Sequence, residues 1–557
     1  MTQHADLILR NADVVTFDPH RPRATALAIV NDRIAAVGGE ELNDLRGSQT
    51  NVIDLQGFCV IPGINDTHAH MEREGLKEQR LSLAGTASVS EILKRIGEAA
   101  ARTPPGAWIV TMPIGDPPYY FDALSMLSER RMPTKEELDA VAPENPVYIP
   151  GLFGNWGAPP GHTALNARAI ALNGLTAATC PRCSGVDFIC DPVSGDPTGA
   201  IVEHNPRPTV EFDLLPAVPR FDFAARRDGL RRSMALYHAR GTTSIYEGHG
   251  SAPETIAVYR DLWERGELTM RSGLCISPSW VDVAEARRAM RDWMGYARGR
   301  GLGDPWLRIS GVHIAYGGDP VVAQVARENL PDTGWSGFVE QAYTQDEFRD
   351  VCWLAAEYDL RLNTIVGNDL HEIVPVLEAI NERYPLASKR WVIEHIARAR
   401  IEDLQSLKRL GVYVTTIPSY YLWKGGGAFL DEPDGGEAIV SHRKMLDLGL
   451  PLSISTDNIP YDPLFTLWVT AARQERRTGR VIGADQRLDL ETALRLFTVA
   501  GAALTFDEDW KGPLTPGFAA DLTVFSANPV LASADAIRDL KCLMTIVGGR
   551  IVHDVYC

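Results

Sequence analysis

The sequence predicts an α/β protein: a (β/α)8 barrel of the TIM type, joined to a β-sandwich built from both chain ends and carrying an insertion over the barrel mouth. Three observations lead there. Through the middle of the chain, short apolar β-branched runs alternate with amphipathic helical stretches, the rhythm of repeated βα units around a parallel sheet. Both ends, in contrast, read as short strands without helices. Between them a stretch from about 100 to 215 is broken up by Pro- and Gly-rich loops and reads as the insertion.

In chain order, "ADLILRNADVVTFD", "ATALAIVNDRIAAVG" and "NVIDLQGFCVIPG" are partly alternating and split by Asp, Asn and Gly, so residues 1–60 are expected to supply sandwich strands. Residues 61–504 are expected to hold the barrel with its insertion. Its strands are read in "TTSIYEG", "LRISGVHIAYGG", "LRLNTIVG", "RWVIEHI", "VYVTTIPS" and "PLSISTDN", trailed by helices such as "EIVPVLEAINERY" and "RIEDLQSLKRLG". About eight such units make a barrel. Residues 505–557 end the chain with "AADLTVFSANP" and "CLMTIVGGRIVHD", short strands with a Gly-Gly turn that can pair with the first sixty residues.

Composition narrows the function. Hydrophobic residues make up 45% of the 557 and charged residues 23%, ordinary globular usage that excludes disordered and fibrous classes. A net charge of -17 repels nucleic acid and anionic membrane surfaces, so neither is an expected partner and a small-molecule substrate is. No run approaches the ~20 apolar residues that span a bilayer, and the opening "MTQHADLILRNADVVTFD" lacks the basic start and apolar centre of a signal peptide. A cytoplasmic protein is expected; a homo-oligomer is compatible with the sequence but not fixed by it. Eight cysteines in so long a chain are no disulfide framework, and Cys59, Cys275 and Cys352 lie in apolar runs. "TCPRCSGVDFIC" gathers Cys180, Cys183 and Cys190, with His204 nearby, but a structural zinc site takes four ligands and loop thiols are the plainer expectation.

Active sites of such barrels form where strands end, so polar strand-end residues are the informative ones. In "FCVIPGINDTHAHME", His68 and His70 alternate on an extended segment and point to one face, where two imidazoles can share a metal. His395 closes "RWVIEH" and Asp457 follows "PLSIST". A polar group ending a buried apolar strand is costly unless something satisfies it, and metal ligation does. Singly, each is explained as well by a structural hydrogen bond. Together they are the donor set of a hydrolytic metal centre. Glu247 and His249 in "SIYEGHG" end another strand and face either the mouth or their own loop.

These residues resemble a known family. "PGINDTHAHME" is similar to the opening metal motif of the amidohydrolase superfamily. "GHTALNARAIALNGL", "GDPTGAIVE", "GPLTPGFAADLTVFSANP" and "TIVGGRIVHD" resemble the amidohydrolase 3 group, the YtcJ-like and N-substituted formamide deformylase-like proteins, over nearly the whole chain. The resemblance implies the same barrel and sandwich. It also marks departures. A lysine that the group carboxylates to bridge two metals is replaced by His313 in "HIAYGG", and a histidine after the fifth strand by Thr364 in "TIVGN". Since a protein-held divalent metal generally needs three or more protein ligands, one ion is expected, with His68, His70, His313 and Asp457 around it and His395 as a further ligand or a hydrogen bonder to the reacting water.

One Zn2+, with Mn2+, Fe2+ or Co2+ as substitutes, would bring the pKa of its water from about 15.7 towards 7 and polarise a carbonyl. Asp457 is expected to carry the proton, with His395, Glu247 and His249 as the other catalytic candidates. Tyr119, Tyr120 and Phe121 in "DPPYYFD", Trp156 in "FGNWG", and Tyr420, Tyr421 and Trp423 in "PSYYLWKGG" suit an apolar or aromatic ligand, or serve only to pack long loops. Lys424 is the clearest basic residue near the mouth, which disfavours a highly anionic substrate. The expected activity is metal-dependent hydrolysis of a C–N bond, amide or cyclic amide-like, in a neutral or weakly charged cyclic or aromatic molecule. Hydrolytic C–C ring opening, hydration or decarboxylation on the same centre is the alternative, ahead of a catalytically silent scaffold.

Overall fold

The computed structural model describes residues 4–117, 119–120, 123–151, 159–180, 185–204, 210, 214–318, 320–328, 330–331, 333–339, 341–434 and 436–556. They fall into two compact units. The first comprises residues 1–71, 231–317 and 341–557, the second 72–230 and 318–340.

The first unit contains the barrel. Eight strands follow one another in parallel: β1 (Ile64–Asp66), β2 (Thr242–Ser251), β3 (Arg271–Ile276), β4 (Leu307–His313), β5 (Leu362–Gly367), β6 (Val392–Ile396), β7 (Tyr413–Thr416) and β8 (Leu452–Ile454). Strands such as "VIEHI" are buried along their whole length because a parallel sheet wrapped by helices has no wet face. The ladder stops between β8 and β1. Side chains close that seam: Thr67 Oγ1 lies 2.9 Å from Ser453 Oγ and 2.8 Å from Thr415 Oγ1, Asp66 accepts from the Thr456 amide at 3.0 Å, and the Asp457 amide donates to the His68 carbonyl at 3.0 Å.

The same unit holds the sandwich. A six-stranded sheet runs Arg550–Asp554, Cys542–Val547, Leu522–Phe525, Cys59–Pro62, Asp13–Val15, Arg23–Ala24, so strands from the two chain ends are hydrogen-bonded neighbours, with Val524 opposite Val60. A four-stranded sheet of Arg33–Gly38, Ala26–Val30, Leu7–Arg10 and Asn51–Asp54 faces it. Leu7, Leu9, Leu27 and Ile29 from one sheet and Val14, Val60, Leu522, Val524 and Ile546 from the other share one core. At the base of the barrel Arg271 bonds Asp521 twice, at 2.6 and 3.0 Å, with both side chains buried, which ties β3 to the segment that enters the sandwich.

In the second unit a six-stranded mixed sheet runs Val186–Cys190, Pro197–Glu203, Gly161–Leu165, Val147–Ile149, Ile109–Ile114, Leu81–Leu83. The helix Val89–Ala100, N-capped by Ser88, packs Ile92 and Ile96 into its core. Among the described residues no helix is long and apolar enough to cross a membrane.

Candidate metal centre

The C-terminal ends of β1, β2, β4, β6 and β8 carry the site, all of it within the first unit. His68 and His70 follow the end of β1, and both are buried. The short β8 is followed by Asp457 and Asn458, which hold φ of 52° and 55°; His395 on β6 has φ of 56°. Such left-handed backbone costs of order 1–3 kcal/mol each at non-glycine residues. These three strained positions all follow or end barrel strands at the site.

His68 Nε2 lies 3.2 Å from His395 Nε2, 3.6 Å from an Asp457 oxygen, and Asp457 in turn is 3.3 Å from His70 Nε2 and 3.7 Å from His395 Nε2. Donor atoms each about 2.0–2.1 Å from a tetrahedral ion stand about 3.3 Å apart, so this spacing is that of ligands around one divalent metal. The chemistry fits too, with imidazole nitrogens and a carboxylate oxygen and no lysine among them. Two overlapping groups have this convergence, His68 with His395 and Asp457, and His68 with His70 and His249. Burial drives the His395 imidazole down to about 3 against the pull of Asp457, which keeps it in the neutral form a metal requires. For His68 burial works the same way, but the carboxylates of Glu394, Asp457 and Asp66 outweigh it and lift the ring to about 9 in the absence of an ion.

His313 ends β4 and is buried, but it belongs to neither converging group; its ring lies 4.6 Å from that of His249. Thr364, in β5, is buried with its hydroxyl making no hydrogen bond among the described residues. Glu247 accepts from the Met71 amide and the Tyr259 hydroxyl, both at 2.9 Å, and stands 3.8 Å from His70 Nδ1. His249 is half-buried beside His70, ring centroids 5.5 Å apart.

A π-helical turn, Ser419–Lys424, follows β7. It sets the rings of Tyr420 and Tyr421 at 5.7 and 5.9 Å from His395, with the Tyr421 hydroxyl 3.1 Å from the His395 carbonyl. Trp423 instead packs edge-on to Phe465, at 5.1 Å. The Lys424 ammonium lies 4.8 Å over the Tyr420 ring; burial brings it down to about 8 despite attraction to Asp457. Tyr119 and Tyr120 belong to the second unit, where Tyr120 is buried. Trp156, Phe121 and Cys183 lie outside the described residues. Cys180 and Cys190 are half-buried free thiols, and His204 is bonded to Asp187 at 2.9 Å.

Three further residues at the centre carry a signal in the sequence. Glu394 is a charge inside the apolar run "VIEHI", Asp66 precedes the histidine pair, and Asn458 follows Asp457. Asn458 brackets His70, accepting from its amide and donating to its carbonyl, both at 2.9 Å.

Comparison with known proteins places the chain in a family. A family model described as "Amidohydrolase family" matches residues 51–553. An N-substituted formamide deformylase from Arthrobacter pascens is 25% identical, the match covering 100% of this chain and 99% of that protein. A putative amidohydrolase, YtcJ, from Bacillus subtilis (strain 168) is 22% identical over 96% of each. Among solved structures, an uncharacterized metal-dependent hydrolase from Pyrococcus horikoshii OT3 shares the fold with a TM-score of 0.67, at 19% identity over 95% of this chain and 99% of that one.

Proposed function

The chain belongs to the amidohydrolase family and is a metal-dependent hydrolase, and from that premise we propose that it cleaves a C–N bond, opening an amide or cyclic amide-like bond in a neutral or weakly charged, cyclic or aromatic small molecule, using one divalent ion. The observation that carries the reading is the convergence of His68, His395 and Asp457, with His70 beside them. One ion rather than two is supported by His68. Both converging groups draw on it, and its Nδ1 faces Glu394 at 3.2 Å, which leaves only Nε2 for a metal. Zn2+ is the expected ion, with Mn2+, Fe2+ or Co2+ as substitutes.

When bound, the ion supplies an activated water and polarises the substrate carbonyl. His68, His70 and His395 would hold it through Nε2, with Asp457 through a carboxylate oxygen and His313 a candidate fifth donor. Asp457 also takes the proton from the attacking water on its carboxylate and gives it to the departing nitrogen, a step worth about 10²–10⁴ in rate. His249, half-buried beside His70, would orient the substrate carbonyl. Glu247 holds the chain at Met71 and steadies His70. Tyr420 and Tyr421 supply an aromatic wall, the feature that favours a flat apolar substrate. Trp423 remains a candidate contact to the substrate.

Hydrolytic C–C ring opening, hydration or decarboxylation is the second reading, favoured by Thr364 and His313 where the resemblance leads one to expect a histidine and a bridging lysine. The test is to strip the protein with a chelator, reload it with Zn2+, Mn2+, Co2+ or Fe2+, count ions per chain, and screen substituted formamides and cyclic amides for released amine. One ion per chain and amine release are expected. Two ions, or turnover without metal, defeat the metal assignment; a product that contains no new amine moves the function to the second reading.

A further inference from the structure

We propose that Glu394 is a positioning residue whose carboxylate fixes His68 with Nε2 turned to the metal, and that position 248 is glycine because this carboxylate occupies the space a side chain would need. The inference rests on the metal-centre reading above. Glu394 and His68 both have side chains with 0% exposure, and Oε2 of Glu394 lies 3.2 Å from Nδ1 of His68. Among the described residues His68 is the only ion-pair partner of that carboxylate, and neither of its oxygens makes a hydrogen bond of good geometry, so the 3.2 Å approach to Nδ1 is the one polar contact it has.

A buried carboxylate with one partner is a poor stabilising device, since desolvation of a charge costs several kcal/mol that one contact barely returns. Its effect on the ring is specific. A proton held on Nδ1 by Glu394 leaves the Nε2 lone pair free, and Nε2 is the atom that faces His395 at 3.2 Å and Asp457 at 3.6 Å. Negative charge behind the ring also makes Nε2 the better donor.

Gly248 supplies the second, independent observation. It sits in β2, four places from β6 in the sheet order, so Glu394 reaches across the barrel interior to meet it. A Cβ at 248 would stand 1.9 Å from Oε1 of Glu394 and 2.9 Å from its carboxyl carbon. Unlike Gly250, with φ of +84°, Gly248 is outside the left-handed region, so backbone conformation does not demand glycine there. The carboxylate does.

The test measures Zn2+ affinity by competition with a chromophoric chelator, alongside the unfolding midpoint of each metal-free protein. Glu394→Gln should weaken Zn2+ binding about 10–100-fold, the range for loss of a group that orients a metal ligand, while leaving the metal-free midpoint no lower. Gly248→Ala, which keeps the charge but displaces it, should weaken binding likewise. The double variant should be no worse than the weaker single one, because both act through one contact. Unchanged affinity in Glu394→Gln, or additive losses in the double variant, would overturn the proposal. If Glu394→Gln does not fold, wild-type affinity in Gly248→Ala overturns it instead. A wild-type chain that holds no Zn2+ refutes the metal-centre reading itself, a result these variants cannot mimic.

Discussion

Replacing Asp457 by Asn separates ligand from base. Asn keeps the shape and one oxygen near His70 Nε2 and His68 Nε2, now at 3.3 and 3.6 Å, but neither the charge nor the capacity to take a proton at neutral pH. Two effects follow. Exchanging a charge-assisted contact for a neutral one halves its strength, from about 1.5–3 kcal/mol to about half that, so ion affinity should fall roughly 10-fold or less. The lost base should cost 10²–10⁴ in turnover, or about 2.7–5.4 kcal/mol at 1.36 kcal/mol per decade. The second effect dominates, so with Zn2+ in excess the variant should be loaded and slow. His70→Ala removes a ligand outright, and the ion should leave together with the activity. The assay is Zn2+ content and kcat for both variants on whichever substrate the amine screen returns. Near-full turnover in loaded Asp457→Asn would refute the reasoning, leaving Asp457 as a strained strand-end residue and moving the proton to His395, Glu247 or His249.

Three further outcomes are expected. Deleting the last forty residues removes the strands Leu522–Phe525, Cys542–Val547 and Arg550–Asp554, bares the edge of Cys59–Pro62, and should leave the chain insoluble; a soluble, active truncation would contradict the assignment of 1–60 and 505–557 to one domain. Asp521→Ala strands the buried Arg271 guanidinium and should lower stability by about 3–5 kcal/mol in urea unfolding, whereas a loss under about 1 kcal/mol would mean the pair is solvated. His442 is buried, with burial and the nearby Arg473 holding it down at about 3, against 6.5 for a free imidazole. Its contribution is complete above pH 6.5 and lost as pH falls towards 3, because only the unfolded chain takes up the proton in that window; in His442→Gln the slope of stability against pH should flatten there.

The barrel was legible where burial and length acted together. The runs read as strands at 242, 307, 362, 392, 413 and 452 coincide with β2 and β4 to β8, since each is apolar enough to be buried on both faces. β3, "RSGLCI", escaped because it opens on Arg271, a charge that is buried in an ion pair with the distant Asp521. At the site, His68, His70, His395 and Asp457 stood out as polar residues ending apolar strands. Glu394 did not, because a charge within a strand reads as an edge until the structure pairs it with His68, far away in the chain. Trp423 and Tyr420 are indistinguishable in sequence; only the π-helical turn sends one to Phe465 and the other to His395. The left-handed backbone at 395, 457 and 458 had no signal beyond Asp and Asn being tolerant of it.

The side-chain seam between β8 and β1 has a consequence in time as well as space. Thr456 and Asp66, bonded across it, are 390 residues apart in the chain. During synthesis at roughly 5–20 residues per second, His68 and His70 are made about 20–80 s before Asp457 exists. Through that interval the nascent chain has a histidine pair but no complete pocket, and any metal it meets is held loosely and exchangeably. Only when the final strand docks do the first and last ligands meet. On the proposed metal centre, acquisition of a tightly held ion would mark the moment the ring closes, and a stalled or truncated chain ending before residue 457 should be recognisable by its inability to retain one.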